Sequence, residues 1–590
     1  MNKGDNLAKV RHSLAHLLAA AVKELYPEAL PTLGPAVDNG FYYDFDELKI
    51  TDNDLTKIEQ KMREVGKSWS KFEEEKVSEK QARELYKDNP YKLELIDEIV
   101  GKSEPITIYH SICISNEAKA ANEANFFDLC RGGHIDDFSQ IDLAGFKLDR
   151  IAGAYWRGSE KNKMLTRIYG LAFENKEKLN EYLTRREEAI KRDHRKLGKE
   201  LDLFTFSDLV GGGLPLWTPT GTLLRDLLDN FVWSLRSMKE YERVDIPHLA
   251  KKDLYEMSGH WDKFKDELFK ITTREGHTLV LKPMNCPHHT QIYARKQWSY
   301  RELPQRYAST TKVYRDEQSG ELAGLTRVRA ITQDDAHVFC RPTQVKEEMA
   351  KIWDIITEFY GTFGFKLTPR LSLHDPKNAD AYLGSPETWQ KAEQELRELV
   401  KEKGVEVEEA VGEAAFYGPK IDFMSADSLG RTWQVATIQL DMNMPERFNL
   451  TCVNEKSEKE RVVMIHAAIM GSLERFLAIL IEHLGGAFPT WLSPVQVAIL
   501  PVAGAHEDYA QKVGEELKQA GIRIKVYSAD NTLGKRIREI KTGKLPYFLV
   551  IGDKEQNSGH LTVESRAGDK QELTLSDFVE KIKTEIKNRS

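Results

Sequence analysis

The sequence contains no apolar run approaching the ~20 residues that a membrane-spanning helix needs. Its first residues, MNKGDNLAKVRHSLAHLL, also lack the apolar core and the small-residue cleavage site of a signal peptide. These two absences predict a protein of the cytoplasm that makes no use of a membrane.

Cysteine is scarce, and no C-x-x-C pair is present. The five cysteines lie far apart, at positions 113, 130, 286, 340 and 452. An odd number of scattered cysteines fits a reducing compartment with free thiols, one or two of which are candidates for a functional role. The sequence also shows no internal repeat and no low-complexity tract.

Positive charge is not in excess, because 85 Lys and Arg residues stand against 93 Asp and Glu residues, for a net charge of −8. This balance argues against a generally basic nucleic-acid binder but leaves room for a local basic surface. A chain of 590 residues with 30% charged and 41% apolar residues is an ordinary globular mixture. Its length predicts about three to five domains.

Residues 310–340, TTKVYRDEQSGELAGLTRVRAITQDDAHVFC, are the most informative stretch. Two runs with strand character, 310–317 and 327–340, flank a loop with two glycines. One face of the predicted sheet is dense in Arg, Gln, Asp and His. Guanidinium groups held on strands suit phosphate, whereas a solvated face with paired charges is the alternative. This stretch alone predicts no metal, nucleotide or reaction.

A possible ligand tetrad is divided between two places in the N-terminal part. A helix is predicted over 13–25, with His12 and His16 one turn apart and opposite its apolar stripe. Much later, Cys130 and His134 flank two glycines that indicate a loop. The four residues have the types found in zinc sites. Two surface histidines beside an unrelated loop are an equally good interpretation.

Residues 176–200 form a strongly charged helical segment with a thin apolar stripe, which indicates a solvated linker helix. A breaker-rich loop at 211–221, an amphipathic helix through Glu240 and the strand ERVDIPHLA follow. Pro247 predicts an edge position for that strand. Further on, a strand carrying His466 leads into a helix whose first turn contains Arg475. The helix dipole disfavours a cation there, so an anionic ligand is indicated.

Residues from about 495 onward alternate as β-α-β-α-β, which predicts a mostly parallel sheet with helices on its faces. No G-x-G-x-x-G or P-loop pattern occurs in this part. The basic run LGKRIREIKTGK can either contact phosphates or form a solvated helix face.

These motifs together resemble those of class II aminoacyl-tRNA synthetases, and the ending TQDDAHVFC resembles the threonyl-tRNA synthetase family. Residues 310–340 resemble motif 2, GSLER resembles motif 3, and the segment from 211 through ERVDIPHLA resembles motif 1, the dimer-forming element. H-x-x-x-H with C-x-x-x-H resembles the editing domain of threonyl- and alanyl-tRNA synthetases. The C-terminal part resembles the anticodon-binding domain of class IIa synthetases.

The resemblance implies a multidomain α+β protein that forms a homodimer in the cytoplasm. The expected order is an α+β editing domain (1–175), the linker helix (176–200), a class II catalytic domain with an antiparallel sheet flanked by helices (201–490), and an α/β anticodon-binding domain (491–590). The N-terminal ubiquitin-like domain common in bacterial relatives is expected to be absent, because the editing helix begins at His12.

The activity implied is ATP-dependent formation of threonyl-adenylate, with Mg²⁺ accompanying ATP, and transfer of threonine to tRNA(Thr). Mischarged seryl-tRNA(Thr) is hydrolysed by the editing domain. The resemblance assigns the α-phosphate of ATP to Arg315, the γ-phosphate to Arg475 and the adenine side to Glu317. The remaining implied catalytic residues are Gln333 and Asp335 near the amino acid, Tyr417, Lys420, Gln434 and Gln439.

A catalytic zinc ion bound by Cys286, His337 and His466 is also implied, although His288 and His289 lie closer to the cysteine in sequence. The implied editing residues are His12, His16, Asp128, Cys130 and His134, and the implied anticodon contacts are Lys544 and Glu555. Zinc binding the amino and hydroxyl groups of threonine would exclude valine. Serine is only a methyl group smaller, worth ~1–3 kcal/mol, so it requires the hydrolytic site.

Several positions depart from the family pattern without removing a zinc ligand or a phosphate-binding arginine. They are Gly133, His288, Ala323, Ala467 and Glu564. Two alternative functions are a non-catalytic tRNA- or mRNA-binding paralogue with a regulatory role, and a class IIa enzyme that charges another amino acid, such as proline or serine. The presence of both arginines and all three zinc ligands argues against the first. TQDDAH together with Cys286 and His466 argues against the second.

Overall fold

The computed structural model describes residues 3–114 and 126–590. The chain divides into two compact units, Met1–Glu187 and Glu188–Ser590. The expected boundaries after residues 175, 200 and 490 divide the chain more finely and stay predictions. In the described ranges, none of the helices combines the length and apolar character needed to cross a membrane.

The first unit combines helices with two antiparallel sheets. Its helices are α1 (Lys3–Leu25), α2 (Leu55–Gly66), α3 (Glu79–Leu85) and α4 (Pro90–Gly101), and α5 (Lys176–Arg192) continues into the second unit. Its strands are β1 (Leu30–Pro31), β2 (Ala36–Val37), β3 (Gly40–Asp46), β4 (Trp69–Val77), β5 (Ile106–Cys113), β6 (Phe126–Leu129), β7 (Phe146–Tyr155) and β8 (Met164–Ala172). The sheet orders are β1-β3-β8-β7, with β2 beside β3, and β4-β5-β6.

Helix α1 begins ten residues before the predicted start and is buried on every side between residues 13 and 22. The prediction of a single apolar stripe was therefore wrong, because the opposite face, which carries His16, is buried as well. Leu14, Leu17 and Leu18 pack with β3, while His16 on the other side is only 2% exposed. Alanines at 15 and 19–21 let neighbouring elements approach the helix closely, so both faces become interior.

The second unit contains the remaining elements. Its helices are α6 (His194–Glu200), α7 (Pro219–Ser237), α8 (Lys252–Ser258), α9 (His260–Lys263), α10 (Cys286–Ala294), α11 (Val345–Thr362), α12 (Pro386–Glu402), α13 (Asn443–Arg447), α14 (Leu473–Leu484), α15 (Glu507–Gln519), α16 (Leu533–Thr542), α17 (Asp553–Ser558) and α18 (Leu575–Asn588). Its strands are β9 (Phe204–Thr205), β10 (Leu216–Trp217), β11 (Glu242–Arg243), β12 (Leu249–Lys251), β13 (Lys270–Thr272), β14 (Thr278–Leu281), β15 (Trp298–Ser299), β16 (Gln305–Tyr314), β17 (Ala330–Cys340), β18 (Leu367–Leu373), β19 (Glu408–Val411), β20 (Lys420–Ala426), β21 (Thr432–Asp441), β22 (Thr451–Val453), β23 (Lys459–Arg461), β24 (Val463–Ser472), β25 (Val497–Pro501), β26 (Ile524–Val526), β27 (Tyr547–Ile551), β28 (His560–Ser565) and β29 (Lys570–Thr574).

An eight-stranded sheet, in the order β11-β16-β17-β24-β21-β20-β18-β19, forms the centre of this unit. Its inner pairs are antiparallel, and only the outermost pairs, β11–β16 and β18–β19, are parallel. Helices α7, α11, α12 and α14 contribute apolar side chains to the core that this sheet shares. The expected multidomain α+β architecture with a helix-flanked antiparallel sheet is confirmed.

Two predicted strands end differently in the structure. β16 stops at Tyr314 and β17 starts at Ala330, so Arg315, Glu317 and Arg327 lie in the connecting loop rather than on the sheet. The charged residues bond within this loop, where Arg327 Nε donates to the Glu317 carboxylate over 2.8 Å. The predicted strand ERVDIPHLA is divided into β11 and β12, and Pro247 lies between them.

The C-terminal sheet has the order β26-β25-β27-β28-β29. Its first three strands pair in parallel, which confirms the predicted β-α-β-α-β segment, and β28 and β29 add antiparallel pairs that were not predicted. Helices cover both faces: α15 and α18 contribute to one apolar cluster and α16 to another.

Candidate active site and a second histidine cluster

Two neighbouring strands and a helix start bring Cys286, His337 and His466 together. His337 on β17 lies directly opposite His466 on β24, and His337 Nε2 is 3.0 Å from His466 Nδ1. Cys286 is the first residue of α10. All three side chains are buried, and their ligand atoms lie within 4.8 Å of one another.

The outer nitrogen of each histidine has a partner of its own. His466 Nε2 lies 2.9 Å from Asp441 Oδ2, and His337 Nδ1 lies 2.8 Å from His289 Nδ1. The remaining nitrogens, His337 Nε2 and His466 Nδ1, lie beside each other, and the Cys286 sulfur also has His260 Nε2 at 3.7 Å. One thiol and two imidazoles oriented by outer partners are the donor set of an open zinc site. Burial raises the pKa of Cys286 and lowers that of His337, and a divalent cation would counter the first effect.

The two rival histidines do not join this cluster. His289 contacts His337 and, through Nε2, Ser309 Oγ at 3.2 Å. His288 is buried, and neither of its ring nitrogens has a hydrogen-bond partner within the described part of the chain. Cys286, His337 and His466 are thus brought together without His288 or His289, and their role as zinc ligands stays a prediction.

One cleft of about 480 Å³ is lined by the cysteine–histidine cluster and by most of the predicted catalytic residues. The predicted residues on its walls are Cys286, Arg315, Gln333, Asp335, His337, Tyr417, Lys420, Gln434, Gln439, His466 and Arg475. Glu317 is placed outside this lining, in the β16–β17 loop, where Arg327 is its ion-pair partner at 2.7 Å.

Two guanidinium groups give part of the cleft a positive charge. Arg315 has a buried Nε without a hydrogen-bond partner in residues 3–114 and 126–590, and Arg475 Nε donates to the Thr326 carbonyl over 3.0 Å. Desolvation and then the charges of Arg315 and Arg327 lower the pKa of Arg475. No carboxylate of the described residues forms an ion pair with Arg315 or Arg475. Two unpaired cations near each other are suited to a polyanion such as a triphosphate.

Polar side chains on the other walls are held by internal bonds. Asp422 accepts from Gln434 Nε2 at 2.6 Å and pairs with Lys420 at 2.7 Å. Asp335 accepts from Asn285 Nδ2 at 3.0 Å, and burial raises the pKa of Asp335 to about 6. The positions of Asn285 and Asp422 were not foreseen, because neither residue belongs to a recognisable spacing pattern.

The second cluster lies in the first unit and contains all four residues of the predicted tetrad. Cys130 Sγ is 3.5 Å from His12 Nε2 and 3.4 Å from His134 Nε2. The rings of His16 and His134 are 4.5 Å apart. Burial is the largest cause that lowers the pKa of each histidine and raises that of Cys130 to about 12.

A buried cation beside this cluster was missed by sequence reasoning. Lys92 is 1% exposed, and its ammonium contacts the Asp128 carboxylate, which also accepts from the Tyr43 hydroxyl. The same carboxylate is 4.0 Å from His16 Nδ1. Lys92 lies among the buried residues of α4, and a lysine at such a position follows no recognisable spacing pattern in the sequence.

The two predicted anticodon residues make internal contacts. Glu555 accepts from the Gly552 amide at 3.0 Å and from the Thr562 hydroxyl at 2.7 Å. The Lys544 ammonium contacts the Gly485 carbonyl. Their role in anticodon recognition stays a prediction.

Three family models match separate parts of the chain. The tRNA synthetase class II core domain (G, H, P, S and T) matches residues 269–484. The anticodon binding domain matches 496–585, and the threonyl and alanyl tRNA synthetase second additional domain matches 122–169. With the antiparallel sheet and its cleft, these matches define a class II aminoacyl-tRNA synthetase.

Similar proteins narrow the family further. Threonine–tRNA ligase of Cytophaga hutchinsonii is 48% identical over 98% of this chain and 88% of its own length. Threonine–tRNA ligase of Rubrobacter xylanophilus is 46% identical over 99% of this chain and 90% of its own. The solved RNA binding domain of threonyl-tRNA synthetase from Cryptosporidium parvum, at 38% identity and a TM-score of 0.64, covers 66% of this chain and 98% of that one. The chain belongs to the threonine–tRNA ligase family.

Replacing Lys92 with Met is expected to lower the stability of the first unit by ~3–5 kcal/mol, because the buried Asp128 carboxylate would lose its cation. Urea unfolding followed by tryptophan fluorescence measures the change. The exposed Lys80 on α3, replaced by Met, is the control and is expected to unfold like the unaltered protein. Equal midpoints for the two variants would contradict the structural importance of the Lys92–Asp128 pair.

Proposed function

We propose that this protein activates L-threonine with ATP and transfers it to tRNA(Thr). The observation that carries the proposal is that one cleft is lined both by a buried Cys–His–His cluster and by two arginines that form no ion pair with any residue the structure describes. The cluster suits a metal that selects the amino acid, and the arginines suit the phosphates of ATP. Mg²⁺ is proposed to accompany ATP.

The residues of the cleft mainly position the reactants. Arg315 and Arg475 bind the phosphate oxygens of ATP and neutralise the charge that develops when the threonine carboxylate attacks the α-phosphorus. Lysine and glutamine side chains held by Asp422 need little reorganisation when substrates bind. Pyrophosphate leaves, and the adenylate then passes threonine to the terminal ribose of the tRNA.

Cys286, His337 and His466 would hold a zinc ion, which supplies open coordination positions for the amino and hydroxyl groups of threonine. Asp441 keeps the His466 ring oriented toward the cluster. A site that must engage a hydroxyl group rejects valine, which lacks one, far better than an apolar pocket does. Serine offers the same two groups, so the cleft alone discriminates against it weakly.

ATP–pyrophosphate exchange should be strong with threonine, weaker with serine and absent with valine. Replacing Cys286 with Ser should reduce threonine-dependent exchange at least as much as loss of an outer partner of a metal ligand does, which is ~10–100-fold. Bound zinc, measured by elemental analysis, should fall in parallel. Cys452→Ser is the matched control, since this cysteine is also buried but lies outside the described lining of the cleft. Full exchange and full zinc content in the Cys286 variant would disprove the metal role.

The tetrad of the first unit is proposed to hydrolyse seryl-tRNA(Thr). Burial raises the pKa of Cys130 to about 12, so the thiol remains protonated near neutral pH and is a poor nucleophile. Three largely neutral imidazoles beside it can accept protons and orient a water molecule at the ester bond. The buried Lys92–Asp128 pair supports the wall on which His16 lies.

Replacing His134 with Ala should slow hydrolysis of seryl-tRNA(Thr) about 10²-fold or more, because general acid–base assistance typically contributes ~10²–10⁴-fold. Deacylation of purified seryl-tRNA(Thr) is the measurement. His110→Ala is the control, since His110 pairs with Glu75 at 2.8 Å and is not part of the tetrad. Unchanged deacylation by the His134 variant would exclude the tetrad as the hydrolytic site.

A homodimer is proposed to form through residues 206–216. Four large apolar side chains lie exposed there: Phe206 at 40%, Leu209 at 100%, Val210 at 45% and Leu216 at 41%. Adjacent exposed apolar side chains of this size are typical of an interface. Leu209→Asp should shift the protein from dimer toward monomer in sedimentation velocity, whereas Leu85→Asp, at an isolated exposed leucine, should not. A monomeric unaltered protein would refute the dimer.

A further inference from the structure

Helix α6 places one buried imidazole between helix α14 and the loop that joins β16 to β17, residues 315–329. His194 is 5% exposed. Its Nδ1 lies 2.6 Å from Glu482 Oε1, and its Nε2 lies 3.0 Å from the Leu325 amide nitrogen. Because a backbone amide can only donate, Nε2 must be the acceptor, and the ring proton is on Nδ1, where it is donated to Glu482.

Glu482 is well suited to hold this tautomer. Its Oε1 also accepts from the His194 backbone amide at 3.0 Å, and its Oε2 contacts the Arg431 guanidinium. The nearby Asp193 carboxylate accepts from Arg195 Nε over 3.0 Å, and its other oxygen contacts Arg195 Nη2 at a shorter distance. Asp193, His194 and Glu482 have the residue types of a metal site, but their donor atoms are committed to one another and to arginines. The group is a hydrogen-bond relay.

The loop fits against the imidazole without room for a side chain. Thr326 donates its amide to the Ala323 carbonyl at 3.0 Å, which closes a turn around Gly324 at a φ of +54°. A Cβ atom added at Gly324 would lie 2.3 Å from His194 Nε2. The Leu325 side chain is fully buried in the core. The loop is therefore docked on His194 at this turn.

The docked turn also holds one of the two cleft arginines. The carbonyl of Thr326, the residue after Leu325, accepts from Arg475 Nε at 3.0 Å. Leu325 thus donates to His194, and the next residue, Thr326, accepts from Arg475. Arginine carries several rotatable bonds, so an acceptor fixed at Nε restricts the directions that its guanidinium can take. Free movement of the turn would remove that restriction.

We propose that His194 is a positioning residue for the use of ATP, a role that rests on the proposed function. Glu482 sets the tautomer of His194, His194 holds the turn at 323–326, and the turn orients Arg475 toward the phosphates. The amino-acid end of the cleft, formed by the Cys–His–His cluster on β17, β24 and α10, takes no part in this relay. The relay therefore acts on ATP and not on threonine.

Two substitutions separate the two bonds of the imidazole. In His194→Asn the amide nitrogen can take the place of Nδ1 and keep the bond to Glu482, but nothing reaches the Leu325 amide. In His194→Gln the longer side chain can place its oxygen near the Nε2 position and keep the Leu325 bond. We expect His194→Asn to raise KM for ATP about tenfold in threonine-dependent pyrophosphate exchange, and His194→Gln to remain within about threefold of the unaltered enzyme.

His374→Asn is the matched control. His374 Nδ1 lies 2.6 Å from Glu393 Oε1, which also accepts the His374 backbone amide at 3.1 Å, so the local geometry is the same. His374 lies outside the described lining of the cleft. Its variant should leave KM for ATP unchanged. KM for threonine and zinc content should be unchanged in every variant.

Hydrogen–deuterium exchange gives a readout that does not depend on activity. Peptides covering residues 318–329 should exchange faster in His194→Asn than in His194→Gln, and Gly324→Ala, which displaces the turn from the other side, should reproduce both the faster exchange and the raised KM for ATP. Slow exchange in these peptides, or equal rises in KM for ATP and threonine, would overturn the relay. If the unaltered protein shows no ATP–pyrophosphate exchange, the proposed function is refuted instead. The deuterium-exchange measurement would still decide whether His194 docks the loop.

Discussion

The pairing of β17 with β24 is the constraint on which the catalytic cleft depends. It places His337 opposite His466, and a slip of one residue would turn one of the two rings to the other face of the sheet. The register changes between Asp334 and Ala336, and the Asp334 carboxylate accepts the amides of Ile469 and Met470 at 3.0 and 2.9 Å. A buried ion pair with Arg236 completes this carboxylate's contacts. One aspartate thus satisfies the irregular backbone beside the cleft.

The two histidine clusters differ in what surrounds them. In the cleft, Asp441 and His289 contact the outer ring nitrogens, and one ligand atom each of Cys286, His337 and His466 lies within 4.8 Å of the other two. In the first unit, the Nδ1 atom of His16 has no hydrogen-bond partner within the described residues, and cysteine contacts two ring nitrogens directly. The first arrangement suits a cation held in fixed geometry. The second is open to a water molecule bonded to several neutral groups.

Much of the fold and of the site could be predicted from the sequence. The strand character around His337, the start of the helix that contains Arg475 and the parallel strands near the C-terminus are local signals, because side-chain periodicity depends on neighbours in sequence. The loop position of Glu317 and the burial of α1 could not be predicted in this way. Both result from packing. Charged residues pair within the loop that contains Glu317, and the alanines of α1 let a second element of structure pack closely against the helix.

The sequence by itself determined the family, the residue types of both clusters and the arginines that can bind phosphate, since each lies in a recognisable local motif. Only the tertiary structure decided which histidines group with Cys286, which side chain contacts the outer nitrogen of each ring and where Lys92 and His194 act. Residues 194, 325 and 482 are separated by more than a hundred positions, and no periodicity links them. Their hydrogen bonds form because the sheet and helices of one unit bring groups that are distant in sequence within hydrogen-bonding distance of one another.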